Sequence, residues 1–169
     1  MTMEVAFFVS GSVAVIATIL AITRLVAVHA LLYLIVSLLA VAVVFYTMGA
    51  PLVAALEVII YAGAIVVLFL FVVMMMNLGV RTQEIESKWL AGRAWIGPGI
   101  LSALLLVEVI YLIVRAPVYA TMSSISTPKQ IGLALYGPYL LGVELASMLL
   151  LAALVGVCHL GRKRSEARQ

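Results

Sequence analysis

Five long apolar stretches, each closed by a short polar or turn-forming break, account for most of this chain. A bilayer-crossing helix needs roughly 20 apolar residues at about 1.5 Å each. The pattern predicts an all-α, polytopic membrane protein with five transmembrane helices, at about 5–23, 29–48, 52–76, 94–114 and 139–160. Arg24 closes the first stretch. The Gly49-Ala50-Pro51 break separates the second from the third, with Pro51 suited to a first helical turn. Residues 77–93 read as a polar loop and 115–138 as a longer connection. Within that connection, Thr127 suits an N-cap and Pro128 a first helical residue, before Ile131, Leu133 and Leu135. Such a helix is too short to cross and belongs at the interface.

Composition removes the alternatives. Of 169 residues, 66% are hydrophobic and only 10% charged, and there is no Asp. A soluble domain of this size cannot hide that much apolar surface. The chain therefore reads as one membrane domain, 1–169, with no separate soluble part. The acidic start, Met1-Thr2-Met3-Glu4, lacks the basic region of a signal peptide, so the first apolar stretch is expected to stay as a span. The lone Cys158 excludes a disulfide framework within one copy, and His29 and His159 are too far apart in sequence to suggest a metal site.

Charge sets the expected orientation. Arg24, Arg81, Lys88, Arg93, Arg162, Lys163, Arg164 and Arg168 fall on one side of the five spans, and only Arg115 and Lys129 on the other. The basic excess marks the cytoplasmic side, which places the N-terminus outside and the C-terminus in the cytoplasm. Trp89 and Trp95 on the inner side, and Tyr119, Tyr136 and Tyr139 on the outer, suit interface anchors. The net charge of +3 is a topology signal, not a nucleic-acid signal. Small residues at four-residue spacing predict helix contacts at Ser10, Ala14 and Thr18, at Gly99 and Ala103, and at Ala152 and Gly156.

Three acids interrupt the spans: Glu57, Glu108 and Glu144. Each falls roughly 8–9 Å inside the outer boundary by helical rise. An ionisable group within a span costs on the order of 2.5–3.5 kcal/mol, which makes such a group a functional candidate. No Lys or Arg lies inside the spans to pair with them, so they either exchange protons or remain neutral and hydrogen-bonded. A carboxyl only two turns deep can also snorkel to the surface. For Glu108 the structural reading is the better one, since Tyr111 and Arg115 follow on its helix and Arg115 can reach back. Tyr61, four residues after Glu57, shares its helix face and can share a water or a hydrogen bond with it. Gly63 weakens the helix by about 1 kcal/mol relative to Ala, and the stiff β-branched Ile65, Val66 and Val67 follow. That is a place where a π-bulge can form. No phosphate loop, nucleophile–base pair or metal-ligand pattern is present, so the chain does not read as an enzyme on its own.

The segment Leu56-Glu57-Val58-Ile59-Ile60-Tyr61-Ala62-Gly63-Ala64-Ile65-Val66-Val67-Leu68-Phe69-Leu70-Phe71-Val72-Val73-Met74-Met75 resembles the third span of the subunit J family of respiratory complex I, the proton-pumping NADH:quinone oxidoreductase. The mitochondrial counterpart is chain 6. Two further blocks agree: His29-Ala30-Leu31-Leu32-Tyr33-Leu34, and Leu135-Tyr136-Gly137-Pro138-Tyr139 with Glu144-Leu145-Ala146-Ser147-Met148-Leu149-Leu150-Leu151. The resemblance runs over nearly the whole chain and is nearer to the bacterial form. It implies a bacterial inner-membrane protein of the membrane arm, surrounded by lipid and by the quinone-site subunit, subunits A and K and the antiporter-like subunits. It implies no redox cofactor in this chain, with quinone, FMN and iron–sulfur clusters in partner subunits. It further implies a π-bulge near Tyr61 to Val67 whose conversion to regular helix opens or closes a water chain. One surplus residue turns the downstream face by roughly 100°, which can move Ile65, Val66 and Leu68 into or out of a proton path. The implied path residues are Glu57, Tyr61, Gly63, Ala64, Ile65, Val66, Leu68 and Glu144. Many relatives have Met where Ile65 stands and Pro-Phe where Gly142-Val143 stand, and Glu108 matches nothing in the family pattern. Two rival readings are a membrane subunit of a multisubunit cation/proton antiporter and a purely structural spacer.

Overall fold

The computed structural model describes residues 3–75, 95–119 and 126–161. All the regular structure among them is helical: α1 (Met3–Thr23), α2 (Ala27–Thr47), α3 (Pro51–Leu56), a π-helical segment (Glu57–Ile65), α4 (Val66–Met75), α5 (Ile96–Tyr119), α6 (Pro128–Leu135) and α7 (Leu140–Gly161). α3, the π segment and α4 form one continuous rod, so five stretches are long and apolar enough to cross a membrane: Met3–Thr23, Ala27–Thr47, Pro51–Met75, Ile96–Val114 and Leu140–Gly161. Each expected span is found within a turn of its predicted limits. The connection expected from Arg115 onward is corrected, because α5 continues through Arg115 to Tyr119. The backbone does not stop where the hydropathy stops, since a helix end costs unsatisfied carbonyls whether or not lipid surrounds it. The polar loop expected at 77–93, Trp89 and the basic tail lie outside the described residues.

The described residues form two compact units, divided after Ser126. In the first, α1 and α2 pair along their length and α5 packs against both. Val13, Ala14 and Ala17 of α1 meet Val36 and Ala40 of α2 and Leu105 of α5. Ala6, Val43 and Leu112 form a second cluster. Small residues let the backbones approach, and in lipid that packing, with interhelical hydrogen bonds, is what associates helices. The predicted Ser10, Ala14, Thr18 stripe is such a seam: Ser10 and Ala14 are buried, and the Thr18 and Ser37 hydroxyls lie 2.7 Å apart. Both hydroxyls also reach the Ala14 carbonyl, at 2.8 and 3.1 Å. The stripe expected at Gly99 and Ala103 is not a contact within this unit; both residues are exposed, and Gly97 faces α2 instead, against the Tyr33 hydroxyl.

The turn into the third span follows from its sequence. Gly49 has φ 80°, a conformation with little cost only for glycine. The Gly49 amide donates to Tyr46 and the Ala50 amide to Phe45, at 3.1 and 3.0 Å, which satisfies the last carbonyls of α2. Pro51 then opens α3.

The second unit holds α6 and α7. Thr127 caps α6 as expected, and the capping box is complete: the Gln130 amide donates to Thr127 Oγ1 at 3.3 Å, and the Thr127 amide to Gln130 Oε1 at 2.9 Å. No residue of α7 is buried within the unit, Ala152 and Gly156 included, so their expected helix contact is not made there.

Candidate functional site

The third span changes its winding where its polar residues sit. Up to Glu57 it is α-helical, and the Glu57 amide still donates to the Val53 carbonyl. From Glu57 to Ile65 it is π-helical, and the Val66 amide reaches back five residues to the Tyr61 carbonyl. This overlaps the segment implied by the resemblance, Tyr61 to Val67, but begins earlier and ends at Ile65. Local sequence explains why the wider winding is tolerated. Val58, Ile59, Ile60 and Ile65 are β-branched, and Gly63 lacks a side chain. A Cβ on Gly63 would stand 3.2 Å from the Val58 carbonyl oxygen, inside ordinary contact distance. Such π turns are rare and cluster at functional sites.

The span's surface is largely uncovered by the rest of its own unit. Ala54 and Val66 (2% exposed) are its buried residues, and α4 packs against α2. Between them, Glu57 is half-buried, Tyr61 is 50% exposed, Gly63 is half-buried, and Ala64 and Ile65 are exposed; Leu68 beyond is exposed as well. Glu57 and Tyr61 make no hydrogen bond to each other. The i, i+4 alignment that would join them holds for α winding, and here the turns are wider. Beside the start of the π segment runs an apolar groove of about 540 Å³, lined by Leu39, Val43 and Tyr46 of α2, Ala54 and Val58 of the third span, and Leu105 and Val109 of α5.

The three acids do not share an environment. Glu108 is 4% exposed, between the two apolar clusters of the first unit, and its Oε1 accepts a 2.7 Å hydrogen bond from Ser10 Oγ, which is fully buried. Its Oε2 has no hydrogen-bond partner among the described residues. The sequence points along α5, toward Arg115, for that partner, and the structure supplies one from α1. The available signal was the spacing of Glu108 with Leu101, Leu105 and Leu112, which puts it on the packed stripe of its helix. Glu144, in the second unit, is exposed on α7, and Ser147 Oγ donates to its backbone carbonyl at 2.7 Å.

The end of the first unit that carries the α1–α2 turn holds a second polar group. Arg24 lies over the Tyr33 ring, 5.2 Å from its centroid. His29, one turn before Tyr33, is 5% exposed, and its Nε2 has no hydrogen-bond partner among the described residues.

Comparison with known proteins gives a consistent result. Residues 17–160 match the family described as NADH-ubiquinone/plastoquinone oxidoreductase chain 6. The chain is 55% identical over 162 residues to the NADH-quinone oxidoreductase subunit J of Pseudomonas aeruginosa, covering 95% of this chain and 98% of that one. It is 52% identical over 161 residues to the subunit J of Escherichia coli K12, covering 95% and 88%. The subunit J of Buchnera aphidicola subsp. Schizaphis graminum is 47% identical over 162 residues, covering 96% and 99%.

Proposed function

This chain belongs to the NADH-ubiquinone/plastoquinone oxidoreductase chain 6 family, and on that premise we propose that it is a membrane-arm subunit of NADH:quinone oxidoreductase that couples quinone reduction to proton translocation through its third span. The observation that carries the reading is the π-helical segment Glu57–Ile65, which holds the one acid of that span. The whole chain acts as one membrane domain of a bacterial inner membrane, with its N-terminus outside and its C-terminus cytoplasmic, as the basic excess on one side supports. It is non-catalytic: the flavin, the iron–sulfur clusters and the quinone site belong to partner subunits. Those partners include the quinone-site subunit, subunits A and K and the antiporter-like subunits. They cover the exposed flank of the third span and of Glu144.

Mechanically, a π segment stores surplus residues. Each residue absorbed on conversion to α winding turns one half of the rod against the other by about 100°. Ile65 and Leu68 then exchange places on the rod's surface with their neighbours, and Val66 leaves its buried contact. Glu57 and Tyr61 supply the carboxyl and hydroxyl groups along which water can order, Gly63 and Ala64 leave room for the change of winding, and Glu144, on α7 of the second unit, supplies a further exchangeable carboxyl. Glu57→Gln keeps the size and hydrogen-bonding capacity of the side chain but removes the exchangeable carboxyl proton. In the purified enzyme it is expected to lower the proton-to-electron ratio more than it lowers assembly. An unchanged ratio overturns the reading.

A further inference from the structure

We propose that one socket against α2 takes Val66 when the third span is π-wound and Ile65 when it is α-wound, so that these two side chains form a two-position stop on the rod. The proposal rests on the change of winding put forward above. Val66 is the largest fully buried side chain among the described residues, while Ile65, Val67 and Leu68 around it are exposed. α4 packs against α2, and Val66 is its one buried residue. The half of the rod before the π segment is held separately. The Ser126 amide donates to the Gly49 carbonyl at 2.9 Å, at the turn that opens this half. Ala54 is buried, and α3 packs against α2. A change of winding between the two halves therefore turns α4 and has to move Val66.

The backbone hydrogen bonds name the residue that replaces it. In π winding the Val66 amide reaches the Tyr61 carbonyl, five residues back. In α winding that bond is made by the amide four residues past Tyr61, which belongs to Ile65. Taking one residue out of the wide turns thus puts Ile65 where Val66 was, relative to the held half. Ile is Val with one more methylene, and both branch at Cβ, so a side chain of nearly the same shape fills the socket in either state. Filling matters in a membrane, because helices associate there through van der Waals packing, and an empty socket forfeits it. Neighbouring residues point roughly 100° apart, so a partial rotation leaves the socket empty. Two filled positions with a gap between them make the contact switch in one step instead of sliding.

The test is cryo-electron microscopy of the purified enzyme during NADH:quinone turnover, with particles sorted by the winding of residues 57–65. Val66→Ala empties the socket in the π state alone. It is expected to raise the α-to-π ratio roughly three- to tenfold, the scale of deleting buried methyl groups. Ile65→Ala empties it in the α state alone and is expected to lower the ratio by a similar factor, with Ile65→Val lowering it less. The double alanine variant is expected to return toward the wild-type ratio. In wild-type α-wound particles Ile65 is expected to be buried against α2. Shifts of the same sign in both single alanine variants overturn the proposal, as do no shift in either and an α-wound state with Ile65 outside the socket. The coupling reading fails on a different result. Opposite shifts with an unchanged proton-to-electron ratio in Glu57→Gln keep the socket and remove the coupling. A lowered ratio in Glu57→Gln, with winding unmoved by either alanine, keeps the coupling and removes the socket.

Discussion

Ser10 on α1 and Glu108 on α5 are joined by a 2.7 Å hydrogen bond from the serine hydroxyl to carboxyl Oε1, with both side chains buried between the two apolar clusters of the first unit. The pair clasps two helices that are far apart in sequence. It also separates Glu108 from the third span, whose winding concerns Glu57. A carboxyl held this way is part of the packing of the helix bundle.

Ser10→Ala is expected to weaken the first unit by about 1 kcal/mol, within the range measured for hydrogen bonds between membrane helices. Glu108→Gln keeps an acceptor oxygen for Ser10 and is expected to cost less, while leaving the proton-to-electron ratio unchanged. Denaturant titration of the purified enzyme in micelles, followed at the first unit, measures the first effect. Proton release per NADH oxidised measures the second.

At Gly63 the expected effect is on turnover. The Cβ introduced by any substitution would press on the Val58 carbonyl oxygen from 3.2 Å. Gly63→Val adds β-branching to that crowding and is expected to reduce NADH:quinone turnover several-fold, whereas Gly63→Ala gives a smaller loss. Assays on membranes with matched subunit content separate this from poor assembly, and wild-type turnover in Gly63→Val removes the need for π winding.

Tyr61 is half-exposed within its unit, so Tyr61→Phe leaves packing nearly intact while removing a hydroxyl. Proton translocation is expected to fall with assembly unchanged. A purely structural spacer predicts the reverse, with assembly the only property to respond. Comparing enzyme yield with the proton-to-electron ratio in one preparation decides between them.

Gly97 and Tyr33 form a close contact between α5 and α2, in which a Cβ on residue 97 would collide with the tyrosine hydroxyl. Gly97→Ala is expected to destabilise the first unit by roughly 1–3 kcal/mol, the usual scale of overpacking. Tyr33→Phe removes the obstructing oxygen and is expected to recover part of that loss. A double-mutant cycle on thermal unfolding measures the coupling directly.

In the second unit, Thr127→Ala removes the hydroxyl that accepts from the Gln130 amide. The loss is expected to be about 1 kcal/mol of local helix stability. Faster amide exchange at Gln130, with α7 unaffected, is the corresponding observation.

Hydropathy alone determined the five spans, because a helix in lipid must be apolar over a set length and must satisfy its own backbone hydrogen bonds. The Gly49 turn, the Thr127 cap and the Ser10–Ala14–Thr18 seam were legible for a similar reason: each depends on residues adjacent along the chain or repeated at helical spacing. Gly63 and its β-branched neighbours marked a weak point in the third span, but its limits at Glu57 and Ile65 were not readable, since several hydrogen-bond registers differ little in local energy. Only the tertiary structure decided that Glu108 belongs to Ser10, that Gly97 rather than Gly99 meets a neighbouring helix, and that His29 is buried with a ring nitrogen unsatisfied. Spans that are apolar nearly all round carry no periodic label for the face that meets protein. That choice is made by shape and by a few polar partners brought together from distant parts of the chain.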